Sequence, residues 1–146
     1  MKSRNALFLL PAIFVLTNTA YARDDRLSMP IKDALETPAA QSKLDKDVKL
    51  FFGNQKHPKP LKIIGDWKTN KKTNAFNKSD KEACEWVFLS AVLELQERAR
   101  KEGGNAVVDI RSNYKNHESS SESEYTCGAG NLMAGVAFKG TVVNLP

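Results

Sequence analysis

Only two cysteines and two histidines occur in the 146 residues of this chain, and that scarcity excludes several classes at once. Two cysteines cannot form the disulfide-dense framework on which a small secreted scaffold without a core depends. Histidine is too rare and too dispersed for a metalloprotease helix motif, and no serine stands in a nucleophile-elbow pattern. Long apolar runs are missing as well: the stretch from Ala6 to Leu16 contains Pro11 and is shorter than a membrane-spanning helix requires. The chain is long enough for one ordinary domain and too short for separate cofactor and substrate lobes. With 41% apolar and 27% charged residues it has the composition of a globular protein able to bury a core.

What is present at the N-terminus reads as an address. Lys2 and Arg4 precede the apolar run, which ends in the small-residue pattern Ala20-Tyr21-Ala22. Residues 1–22 are therefore expected to be a cleaved secretory signal, placing the remainder in the periplasm or outside the cell. No cysteine lies near the cleavage point to take a lipid, so a soluble product without a membrane span is expected. Residues 23–47, charged and interrupted by Pro30 and Pro38, form a lead-in with a short helical candidate at Ile31 to Glu36. Residues 48–146 form the domain proper.

Charge is unevenly spread. Without residues 1–22 the chain carries 20 Lys and Arg against 17 Asp and Glu, a net +3. Between Lys56 and Lys81 alone, eight lysines face only Asp66 and Asp80, a net +6. Lys56, Lys59, Lys62, Lys68, Lys71, Lys72 and Lys78 are thus candidate anion-binding residues, suited to phosphate or carboxylate polymers such as cell-surface glycans or lipid headgroups rather than nucleic acid. Lysine also keeps sheet edges soluble and unpaired, and Trp67 and Phe76 suit core or edge packing better than ligand stacking. The acidic counterpart, His117 to Glu124, is serine-rich and expected to be an exposed loop.

The clearest element is a helix over about 79–102. Ser79 and Glu82 have capping-box spacing, and Gly103-Gly104 supply a stop. Ala83, Cys84, Val87, Phe88, Ala91, Val92, Leu95 and Ala99 recur on one face, widened by Trp86, Leu89 and Leu93. Val48 to Phe52 and Leu61 to Ile64 read as a strand pair around the proline loop, after which the polar run from Asn70 to Asn74 suggests a turn, with continuation of the second strand around it as the alternative. Ala106 to Arg111 and Leu132 to Val143 supply two more strands. The expected fold is a single α+β domain, a largely antiparallel sheet of about four strands with one main helix on its face.

In an exported chain, Cys84 on the helix and Cys127 before the last strand form a disulfide by default. A Cys2His2 zinc site with His57 and His117 is disfavoured, since none of the four shows close ligand pairing. The run from Gly128 to Gly135 resembles a phosphate loop only superficially. A dinucleotide fingerprint needs glycine where Met133 stands, and a Walker A needs lysine where Val136 stands. The run also leads into a strand, not a helix. The carboxylates of Glu122 and Glu124 lie where nothing would perturb them. No catalytic residue, metal or cofactor is expected.

The stretch Gly103-Gly104-Asn105-Ala106-Val107-Val108-Asp109-Ile110, then Tyr114, Cys127 and Gly135-Val136-Ala137-Phe138-Lys139-Gly140, resembles the YbjQ-like and RcsF-like superfamily of small α+β domains. The segment Asn70-Lys71-Lys72-Thr73-Asn74-Ala75-Phe76 with Cys84-Glu85-Trp86 is similar to that of small secreted Gram-negative proteins that carry the label excinuclease ATPase subunit. An exported chain without a Walker A cannot act as that ATPase. The RcsF-like resemblance implies an envelope-stress-sensor type of domain that contacts partner proteins, with a helix-to-late-loop disulfide corresponding to Cys84 and Cys127. The chain has neither a lipidation cysteine nor a second cysteine pair, so the resemblance implies fold, compartment and disulfide. The functional expectation is a non-catalytic interaction module of the envelope with a protein partner. The alternative is a binder of anionic glycan or lipid headgroups through residues 56–81.

Overall fold

The computed structural model describes residues 22–146, so the signal assigned to residues 1–22 lies outside the described residues apart from Ala22. Chain order is β1 (Asp25–Pro30), α1 (Ile31–Glu36), α2 (Pro38–Lys43), β2 (Lys49–Phe52), β3 (Lys62–Asn74), α3 (Asp80–Lys101), β4 (Ala106–Tyr114), β5 (His117–Ser119), β6 (Glu124–Ala129) and β7 (Met133–Asn144). The class is α+β with one main helix. The sheet, however, has seven strands rather than about four, and it is mixed: β2 and β4 run parallel, while the other pairs are antiparallel.

The main helix forms where its end signals stand. Ser79 Oγ accepts from the Glu82 N–H at 3.1 Å. At the other end, Gly104 N–H donates to Ala99 O and Gly103 N–H to Arg100 O, with Gly103 at φ +80°; this is the double bond pattern of a Schellman stop. All eight residues of the expected apolar stripe are buried, together with Leu89. Trp86 instead stays partly exposed beneath the Lys43 ammonium, 4.9 Å from its ring centroid. Helices α1 and α2, both within the lead-in, pack against α3. Gln96, buried in α3, fixes that lead-in by donating to Asp45 O and Val48 O and accepting from Asp45 N–H.

The core lies between α3 and one face of the sheet. Phe88 of α3 meets Tyr125 of β6 at 4.6 Å and Phe138 of β7 at 5.6 Å between centroids, and Phe52 of β2 completes the cluster. Burying each such ring contributes on the order of 2–3 kcal/mol. A smaller cluster of Ala106, Val108, Val143 and Leu145, capped by Phe51, occupies the opposite face.

Three expectations are overturned. First, β2 and β3 do not pair: β2 lies parallel to β4, with Leu50 opposite Val107, and β3 lies antiparallel to β7, with Trp67 opposite Gly140. The intervening strand and α3 provide the long crossover that parallel pairing demands. Second, the polar run Asn70 to Asn74 is not a turn but the continuation of a 13-residue strand, because β7 supplies a hydrogen-bonding partner for every residue of it. Third, the serine-rich stretch is not loop throughout. His117–Ser119 pairs with β4, and Glu124 already opens β6, in which Cys127 lies, just ahead of the last strand as expected.

Candidate functional site

Strand β3 is an edge strand. Among the described residues it pairs only with β7, and its other side carries unpaired backbone groups. The period of two along a strand sorts its side chains. Trp67, Thr69 and Lys71 face α3, whereas Asp66, Lys68, Asn70 and Lys72 face the open side of the sheet. On the helix side, Thr69 Oγ1 donates to Glu94 Oε2 at 2.7 Å, and Lys71 Nζ reaches the same oxygen at 2.8 Å. Burial raises the Glu94 pKa, but the hydrogen bonds from Lys71 and Thr69 outweigh it and hold the carboxyl below its ordinary range.

Lys71 is therefore committed to an intramolecular ion pair. Lys56, Lys59, Lys62, Lys68, Lys72 and Lys78 are exposed, and among the described residues none of the six pairs with an acid. Lys56 and Lys59 sit on the proline loop, Lys62, Lys68 and Lys72 on β3, and Lys78 on the turn into α3. Lys68 and Lys72 thus lie on the open face of the edge strand, with Lys62 at its start and Lys78 just past its end. Trp67 packs against the core under the Arg98 guanidinium, 5.9 Å from its ring. Phe76 is largely exposed, contrary to the expectation of core or edge packing: it lies in the turn that follows β3, just past the buried Ala75.

The open face of the sheet carries a second electrostatic feature. Glu118 of β5 binds Lys139 at 2.8 Å and lies 3.1 Å from Arg111 Nε, and the Lys139 hydrogen bond and the Arg111 charge hold its carboxyl below the ordinary range. Arg111 also pairs with Asp109, which stands at φ +50° where β4 breaks register with β7.

A cleft of about 510 Å³ opens where β3 and β7 meet β6. Its wall includes Lys72, Tyr114, Lys115, Gly128, Gly130 and Leu132, so the glycine run that fails as a phosphate loop lines a cavity after all. Tyr114 lies over Gly128 and Gly135; its hydroxyl donates to Asp24 Oδ1 at 2.8 Å, and Lys115 binds the other oxygen of that carboxylate. Those two bonds, Lys115 first, lower the Asp24 pKa, while burial and the Asp24 contact raise that of Tyr114. Arg23, held by Asp25 and Asp80, closes the cleft at the N-terminal side.

Cys84 and Cys127 are joined in a disulfide, both fully buried, with Cα atoms 5.9 Å apart. The bond ties the first turns of α3 to β6. It also consumes both thiols, so the Cys2His2 zinc alternative falls. No group of metal-ligating side chains occurs among the described residues, and none of their helices is long and apolar enough to cross a membrane. Comparisons with family models, with curated proteins and with solved structures find no match to this chain.

Sequence reasoning missed the tip at which β3 meets β7. Leu132 and Met133 fall where the glycine run leads into the last strand, and nothing in the sequence pairs them with Phe76, which stands 56 residues before Leu132. The one available signal is the turn-forming Gly130-Asn131 pair that precedes them.

Proposed function

We propose that this chain is an exported, non-catalytic binding module of the bacterial envelope, acting in the periplasm or after secretion. The buried Cys84–Cys127 disulfide supports an oxidising compartment, and the resemblance to RcsF-like domains points to a protein partner. The observation that carries the reading is the free edge of β3. A 13-residue strand with one side unpaired offers a row of N–H and C=O groups to an extended partner segment.

A second reading is favoured by the six exposed lysines without acid partners. They suit an anionic glycan or lipid headgroup array, bound by charge along the same edge. Salt separates the two readings, because exposed charge pairing is screened whereas an interface built on strand pairing and apolar contacts persists. The test is a pull-down of the tagged, exported protein from envelope extract, washed at low and high salt. A discrete protein surviving high salt supports the partner reading. Anionic material lost at high salt, and no longer retained by a Lys68→Glu/Lys72→Glu/Lys78→Glu variant, supports the second. Lys71 is left intact in that variant, since its ion pair with Glu94 serves the fold.

A further inference from the structure

We infer that the end of the sheet formed by Phe76, Leu132 and Met133 is a docking tip for an anionic lipid bilayer. The inference rests on the anionic-ligand reading and names its ligand. Among the described residues, three of the six exposed large apolar side chains gather here: Phe76 is 60% exposed, Leu132 65% and Met133 50%. The ladder brings them together. Asn74 stands opposite Met133, and the next amide, Ala75 N–H, donates to Leu132 O at 2.8 Å. Phe76 follows directly. The segment from Gly130 to Met133 is closed into a tight turn by a Gly130 N–H to Met133 O bond of 2.9 Å, so the apolar side chains project from a fixed backbone. Apolar side chains at the end of a hydrogen-bonded ladder, left uncovered among the described residues, fit the headgroup and acyl boundary of a bilayer.

Charge selects the kind of bilayer. Lys72, opposite Gly135 and lining the adjoining cleft, and Lys78, whose Nζ lies 3.0 Å from Asn74 O, flank the tip without acid partners. Arg23 and Lys115 also line the cleft, but Asp25 and Asp80 hold the first and Asp24 the second. Among the described residues the side-chain cations at the tip without an acid partner are thus Lys72 and Lys78, and Lys72 lines a cavity large enough for a headgroup phosphate. Basic residues beside an apolar tip attract a negatively charged membrane surface and then retain it by insertion. A soluble anionic glycan would use the lysines and leave the tip idle. The apolar residues therefore distinguish lipid from glycan.

The experiment uses the oxidised, exported protein in three arms: phosphatidylcholine vesicles, vesicles containing phosphatidylglycerol, and soluble dextran sulfate. Cosedimentation is expected with the phosphatidylglycerol vesicles and not with phosphatidylcholine alone. Phe76→Ser/Leu132→Ser/Met133→Ser, all at exposed positions, is expected to weaken vesicle binding by about tenfold or more while leaving dextran sulfate binding unchanged. A Leu132→Trp variant, compared with the parent by difference fluorescence, should shift to the blue on vesicle binding. The docking tip is overturned if the parent binds dextran sulfate but not anionic vesicles, if the triple serine variant binds vesicles as the parent does, or if the new tryptophan does not shift while bound. In all three cases the lysine reading stands. Failure of the parent to bind either anionic probe overturns both.

Discussion

The ring of Tyr114 occupies the space that a side chain on Gly128 would need: a Cβ built there overlaps the phenol carbon and oxygen. Gly135, paired across the ladder with Gly128, provides the rest of the floor. Two strands are thus kept bare so that a tyrosine can lie across them and hold Asp24 of the N-terminal segment. Gly128→Ala should cost about 1–3 kcal/mol, the usual penalty for overpacking, read from the urea midpoint. Combined with Tyr114→Ala the two losses should be far from additive, since removal of the ring frees the space. Additive losses would show that the contact is not the cause.

The Cys84–Cys127 bond spans 43 positions of sequence, and closing a loop of that size in the unfolded chain is worth about 4 kcal/mol in the chain-entropy account. That is a large share of the 5–15 kcal/mol typical of a whole domain, roughly. The bond also has a local role. Strand β6 pairs with β7 over only two residue positions, Gly128 with Gly135 and Ala129 with Ala134, so the disulfide anchors the β1–β6 ribbon to α3. Reduction should lower the urea midpoint steeply, and amides of β1 and β6 should lose hydrogen-exchange protection before those of β7. Two titratable thiols in the unreduced, denatured protein would contradict the assignment.

Glu94 links α3 to the edge strand through Thr69 and Lys71. Its folded pKa is depressed from the ordinary value of 4.5, so its contribution is fully present above that value and is lost as pH falls through the folded pKa. Because both partners remain about two-fifths exposed, solvent screening limits the contribution to under about 1 kcal/mol. Glu94→Gln should therefore melt slightly below the parent at pH 7, with the difference closing as pH falls well below 4.5. A gap in melting temperature that is constant with pH would mean that charge has no part in it.

What was readable in the sequence was whatever carries its own local signal. Ser79, Glu82 and the Gly103-Gly104 pair mark the ends of α3, the 3.6-residue spacing marks its buried face, and the cysteine pair follows from export. The short helix at Ile31 to Glu36 was readable for the same reason. Strands β1 and β5 and the second half of β3 were not, because their residues are polar and mostly exposed; they are ordered by the neighbour they bond to, and a single strand does not announce its neighbour. The same cause hid the pairing of β2 with β4 across an intervening strand and helix. At the candidate site, the lysines were plain in the composition. Their separation into the ion-paired Lys71 and the six free ones required Glu94, which lies on another element. The tip of Phe76, Leu132 and Met133 is wholly a product of register.

Gly103 isolates a backbone effect from packing. It terminates α3 at φ +80°, a conformation that costs a residue with a Cβ about 1–2 kcal/mol, yet a Cβ placed there meets no atom within 4 Å. Gly103→Ala should therefore destabilise the protein by about 1 kcal/mol without disturbing any neighbour. Asn tolerates the left-handed region better than Ala, so Gly103→Asn should recover part of the loss. Gly104, one residue on, makes the contrast: its Cβ would lie 2.5 Å from Val142 Cγ1 and 3.0 Å from Val143 O. Gly104→Ala must displace strand β7 or the helix end, and Asn at that position should be worse than Ala, not better. Urea denaturation of the four variants decides the matter. If Asn is better than Ala at position 103 and worse at 104, strain governs the first glycine and space the second; the same order at both would refute that division.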